Sequence, residues 1–146
     1  MVGRMQDFQV YASSIYTSNF TPSTSAIVDK RLVLALPLWD NATGTLSLTD
    51  ISSNPKAVTP GITWGSSPTW KTGVGKFYGG SAFFSGYSYL NLPISEDFNF
   101  GTGDFTMELW YNPQKGLRTD AGSFGGVGGW EVLINAGGGV YFQGIS

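Results

Sequence analysis

Residues 104–113 read DFTMELWYNP, and their side chains change character at every step. Phe105, Met107, Leu109 and Tyr111 fall on one face of an extended chain, and Thr106, Glu108 and Trp110 on the other. A period of two is the mark of a β-strand separating two environments, because successive side chains point to opposite faces. Gly103-Asp104 in front and Asn112-Pro113 behind are stop signals that bound it. A second run precedes it. In residues 76–93, KFYGGSAFFSGYSYLNLP, the apolar residues Ala82, Phe83, Phe84, Tyr87, Tyr89, Leu90 and Leu92 are broken only by small ones. Gly79-Gly80 and Gly86 supply tight turns or close backbone approach. The rest of the chain is read as what these two runs pack against.

The same runs carry a resemblance. Lys76, Phe77, Gly79, Gly80, Ser81, Ala82, Phe84, Gly86, Tyr89 and Leu90, followed by Asp104, Phe105, Thr106, Glu108, Trp110 and Pro113, are similar to the laminin-G-like branch of the concanavalin A-like lectin/glucanase superfamily. Tyr78 is inserted relative to the commonest form of the motif. The resemblance reaches back more weakly to Leu32. It implies an all-β, concanavalin A-like jelly-roll sandwich and says nothing of activity, since the matching residues build the fold.

Composition narrows the chemistry. The chain has 146 residues, enough for one domain with a core. It has no Cys and no His, so disulfides, thiol chemistry, and the usual metal ligand and general base are absent from the sequence. Charged residues make up 12% against roughly 25% in ordinary soluble proteins, while Gly numbers 21 and aromatics reach 15%. That is the profile of a turn-rich β protein with a neutral polar surface. Two readings of the low charge stand open: a quiet sandwich surface, or a surface covered by neighbouring subunits. A net charge of −2 and a pI near 4.8 argue against nucleic acid as a partner. No apolar run approaches the ~20 residues of a membrane span. The start, MVGRMQDFQV, lacks the apolar core of a signal peptide.

In chain order, residues 6–12 alternate as a strand with Phe8, Val10 and Ala12 on one face. SSIYTSNFTPSTSA follows as an extended connector, anchored by Tyr16, Phe20 and Pro22. The run YTSNFTP resembles the tail that leaves a laminin-G-like sandwich in structural proteins of tailed phages, where a second proline usually stands at the place of Ser23. Residues 1–30 are accordingly read as a terminal strand plus connector, and 31–146 as a sandwich that is partial. RLVLALPLWD places Leu32, Leu34, Leu36 and Leu38 on one face, with Pro37 marking an edge, a bulge or the strand's end. Leu46 and Leu48 suggest a short strand. Trp64 and Trp70 lie in a stretch rich in Gly, Pro, Ser and Thr that reads as loop. Residues 114–129 read as a Gly-rich loop, and 130–145 as a hairpin. A single helical turn is expected near Ser95–Phe98, with Ser95 as cap.

The catalytic readings are weak. Glucanases of the superfamily aim carboxylates into one cleft from alternate positions of a strand. Here Glu96, Glu108 and Glu131 are the only glutamates, and neither Glu108 nor Glu131 has a second carboxylate beside it on its face. No catalytic residue is assigned, and Glu108 is read as structural. Sugars present an apolar C–H face that stacks on aromatic rings, with amides and hydroxyls at the rim. Trp64, Trp70, Tyr87, Tyr89 and Asn91 are the glycan-binding candidates. No cofactor is implied. Calcium is a weak candidate only, through Asp40, Asn41 and Asp50, which read better as turn formers.

Together these readings predict a non-enzymatic virion structural protein of a tailed phage: a tail fibre, an appendage or a capsid decoration. It would be located in the virion, meet other virion proteins, form homo-oligomers and contact host-surface glycans, without nucleic acid or membrane as partner. The alternative is a secreted or cell-surface carbohydrate-binding module. From Arg31 only 116 residues remain (146 − 31 + 1), where sandwiches run to roughly 200, so completion by a longer chain or by neighbouring chains is expected.

Overall fold

The computed structural model describes residues 2–21, 31–40, 44–85, 88–93, 95–113, 122–125, 130–134 and 140–144. Its strands are β1 (Val2–Tyr11), β2 (Leu32–Leu36), β3 (Thr59–Ile62), β4 (Thr69–Thr72), β5 (Gly80–Ser85), β6 (Ser88–Asn91), β7 (Thr106–Pro113), β8 (Gly122–Gly125), β9 (Trp130–Ile134) and β10 (Val140–Gly144). All pairings between them are antiparallel. Among the described residues the helical content is a 3-10 turn at Glu96–Phe98. The chain is an all-β protein.

β1 is the hub. β7 runs along one of its edges from Gly3↔Pro113 to Tyr11↔Thr106. The other edge is divided: β5 takes Val2–Met5 and β2 takes Phe8–Tyr11. β4 extends the sheet beyond β5. The division falls at Asp7, whose φ of 53° is left-handed, a region open to Asp and Asn more than to other side chains. Its N–H leaves the ladder and donates to the Pro37 carbonyl. Against β7 the pairing jumps between Gln6 and Gln9, so this is a β-bulge. The extra residue restores the alternation, and Met5, Phe8 and Val10 all reach the same core.

That core joins them to Leu34, Leu36, Leu38, Ala82 and Phe84. Leu46, Leu48, Val58, Leu90, Leu92, Phe98, Phe100, Met107 and Leu109 pack against it. One face of the five-stranded sheet is thereby covered by the β3–β6 ribbon and the loops around it. Twelve residues in the described part are both hydrophobic and buried, and Gln6, Gln9 and Asp50 are buried among the polar ones.

Three sequence expectations change. Leu32 does not share the face of Leu34 and Leu36. The β1–β2 register shifts between Val10 and Tyr11, and Leu32 joins Tyr11 and Ala35 in a separate small cluster. Residues 80–91 form two strands that part company, β5 entering the main sheet and β6 pairing with β3. Leu46 makes only an isolated bridge to Asp40. Downstream, the hairpin expected over 130–145 is present as β9 and β10, and the Gly-rich stretch before it contributes β8. The boundary expected at residue 30 lies outside the described residues.

The connector is tied to the sheet. Ile15 N–H donates to Thr106 Oγ1 at 3.2 Å, and that hydroxyl donates to the Ser13 carbonyl at 3.0 Å. Tyr16 stacks on Phe20 with ring centres 3.6 Å apart. Pro22 lies outside the described residues. The expected helical turn forms as predicted, with Ser95 Oγ accepting from Asp97 N–H.

Candidate functional site

The register of the β3–β6 ribbon puts Thr59 opposite Asn91 and Gly61 opposite Tyr89. In an antiparallel pair, opposed residues share a face, and so do neighbours two apart. Thr59, Gly61, Tyr89 and Asn91 therefore form one surface. Leu90, pointing the other way, packs on the core, so this surface is the outer one. Thr59 and Asn91 are exposed, and Tyr89 is 44% exposed. A Cβ on Gly61 would lie 2.2 Å from the Tyr89 ring, so the ring occupies the space a side chain would need. The glycine thus fixes where the tyrosine lies. The result is an aromatic ring held against the strand, with a hydroxyl and an amide beside it.

Trp64 follows β3 and is 75% exposed, the most exposed large apolar side chain among the described residues. Its loop is held by Gly65, at φ 99°, and by the Ser85 hydroxyl donating to the Ser66 carbonyl. Trp70 does not lie in that loop. It sits on β4 opposite Ala82, is buried, and covers Gly80 with its ring, where a Cβ would approach within 2.5 Å. Its alternation with exposed Thr69 and Lys71 is too short a signal to stand out from the Gly- and Pro-rich surroundings. A buried indole offers no ring face to a sugar at the surface. Tyr87 lies outside the described residues. Of the candidates, the structure places Tyr89 and Asn91 together. Thr59 and Gly61 escaped the sequence reading because only the strand register brings them beside Tyr89.

The acidic candidates make hydrogen bonds within the fold. Asp50 Oδ1 accepts from Ala35 N–H at 3.0 Å and Ser52 N–H at 2.9 Å. Its Oδ2 accepts from the Ser52 hydroxyl at 3.0 Å and Lys56 N–H at 2.7 Å. Asp40 Oδ1 closes a turn by accepting from Gly44 N–H. Asn41 lies outside the described residues, among which no group of three or more acidic side chains converges. Glu108 accepts a hydrogen bond from the Tyr16 phenol. Lys56, nearly buried, donates to Asp97 Oδ2 at 2.5 Å, and this bond, with that from Asn54, holds the Asp97 carboxyl below its ordinary value. Asp7 is pushed up by burial, against a hydrogen bond from Gln9.

No family model matches the chain, and neither does any curated protein or solved structure. No helix among the described residues is long and apolar enough to cross a membrane.

Proposed function

We propose that the chain is a non-enzymatic structural protein of a tailed-phage virion, built on a laminin-G-like jelly-roll sandwich, that meets host-surface glycans through the outer face of the β3–β6 ribbon. The binding half rests on one observation: Tyr89 lies across Gly61, with Thr59 and Asn91 on the same exposed face. An aromatic ring flanked by neutral hydrogen-bonding groups suits a sugar, which has an apolar face and a polar rim. Trp64 adds a second exposed ring further along the same chain segment. The virion half rests on the resemblance of YTSNFTP to the tail segment of phage sandwiches. The tethering of residues 13–16 to β7 supports it, because a segment fixed in this way is part of the building block. Assembly into homo-oligomers beside other virion proteins belongs to the same reading.

The exposed ribbon equally suits a secreted or cell-surface carbohydrate-binding module, which is the second reading. Mass spectrometry of purified particles separates the two: recovery of the chain in virions supports the first, and its absence removes it. A glycan array tests the surface. Tyr89→Ala and Trp64→Ala are each expected to weaken a hit by about 1–3 kcal/mol, the scale of an aromatic anchor. An array without hits for the native assembly removes glycan binding and leaves a purely structural role.

A further inference from the structure

The face of the main sheet away from the core carries a cavity of about 350 Å³ that the ribbon does not touch. Cross-strand pairing puts Arg4 opposite Asn112 and Gln6 opposite Trp110 on that face. The segment 74–77 folds over it as a wall, and three contacts fix that wall. Gln6, fully buried, accepts from Lys76 N–H at 2.7 Å and Phe77 N–H at 2.9 Å through Oε1, and donates to the Gly80 carbonyl at 2.8 Å through Nε2. Ser81 donates its hydroxyl to the Val74 carbonyl at 2.5 Å. Gly75 approaches Gly80 so closely that a Cβ would lie 1.9 Å from its carbonyl oxygen.

The fixed wall holds charge. Lys76 Nζ stands 4.5 Å over the Trp110 ring, and Phe77 meets the same ring edge-on at 6.0 Å. Arg4 is oriented by one bond, 3.3 Å, to the Lys71 carbonyl, which leaves most of its guanidinium donors for other partners. Among the described residues the lining holds these two cations and no carboxylate, in a chain whose net charge is −2. Lining groups also include the Asn112 amide and the indole of Trp110. Two preorganised cations select an anion, and guanidinium pairs well with a carboxylate. Ligand cavities start at about 300 Å³, so this one suits a single sugar ring better than a chain.

We propose that this cavity binds a carboxylate-bearing sugar unit of the uronic acid type, with Arg4 and Lys76 on the carboxylate and Asn112 on a ring hydroxyl. The site is separate from the ribbon and stands whether or not the ribbon binds glycans. The test is a titration of the purified chain with glucuronic acid, glucuronamide, glucose and inorganic phosphate, followed by amide and indole NMR shifts. Glucuronic acid is expected to move the Trp110 indole and the 74–77 amides saturably, more weakly as salt rises. Arg4→Gln and Lys76→Gln should each weaken it about tenfold or more, as loss of a charged hydrogen bond implies. Arg31→Gln, which removes a charge at the far end of β1 beside Ala12 and away from the lining, should leave it unchanged. A native-like dispersed spectrum for each variant separates loss of binding from loss of fold, and Asn112→Ala provides a further cavity variant outside the charged pair. Equal shifts with glucuronamide, full competition by phosphate at equal concentration, unchanged binding in both charge variants, or no saturable shift at all would each overturn the proposal.

Discussion

Tyr16 and Glu108 lie 92 positions apart in the chain, and the phenol of the first donates its proton to the carboxylate of the second. The bond spans from the connector to β7, so it reports on whether the connector is docked. Limited burial and the neighbouring carboxylate push the Tyr16 phenol from 10.0 to about 12. A folded-state value above the ordinary one means the contribution is complete below pH 10 and fades as pH climbs toward about 12. Tyr16→Phe keeps the ring for its stack on Phe20 and removes the bond. It should cost about 0.5–1 kcal/mol at neutral pH, the low end for a hydrogen bond at a wet site. Denaturant titrations at neutral and alkaline pH check this: the gap between native and variant should narrow above pH 10.

Asp7 shifts in the same direction as Tyr16, with burial as the main cause. Burial raises its carboxyl, so the folded protein holds that proton more tightly than the unfolded chain does. Its effect on stability is therefore favourable in acid and is lost as pH rises through the folded value. Asn tolerates the same left-handed backbone and carries no charge. Asp7→Asn should be more stable than the native protein at pH 7, by a margin that shrinks toward acid pH in thermal unfolding. Asp7→Ala, which strains φ and drops the partner of Gln9, should be less stable than either.

Two glycines separate backbone crowding from side-chain crowding. At Gly75 the obstacle is the Gly80 carbonyl, and Gly75→Ala should cost about 1–3 kcal/mol in urea unfolding because backbone has to move. At Gly61 the obstacle is the Tyr89 ring, which can swing away. Gly61→Ala should therefore cost less, while shifting the Tyr89 ring resonances in an NMR spectrum. Equal costs at the two sites would show that the Tyr89 ring is as fixed as the backbone.

Asp50 links residues 35, 52 and 56 through four hydrogen bonds. Asp50→Ala leaves buried donors without acceptors and should cost about 2–4 kcal/mol. Asp50→Asn should recover only part of it, since the amide presents a donor where an acceptor is needed. Calcium titration of the native protein monitored by thermal unfolding should leave the midpoint unchanged, because both carboxylate oxygens are already engaged.

What could be read from the sequence was what local chemistry decides. Ser95 before Glu96-Asp97 announces a capped turn on its own. The strict alternation of 105–111 announces β7, and Met107 and Leu109 do face the core as read. What could not be read depends on partners far along the chain. The bulge at Asp7 comes from the division of one edge between β2 and β5, and no single-residue signal there distinguishes it from plain strand. The burial of Trp70 depends on Gly80 lying beneath it. The pairing of Tyr89 with Gly61 is a matter of register, which alternation alone does not set. Gly122–Gly125 shows the limit from the other side, since a Gly-rich stretch carries no alternation to read and is still drawn into a sheet by its neighbour.

The divided edge of β1 has a consequence for the order in which the protein can be made. β1 leaves the ribosome before β2, β5 and β7, the three strands it pairs with among the described residues. Leu32–Leu36 comes next, Gly80–Ser85 much later, and Thr106–Pro113 later still. Until that final partner is synthesised, Met5, Phe8 and Val10 have no closed core to enter. A strand that waits for its most distant partner meets the loop-closure entropy before the contacts that offset it, so β1 is fully paired only once Thr106–Pro113 has emerged. β1 is thus a keystone set last, and the interval before it is set is when strand edges lie open to neighbouring copies.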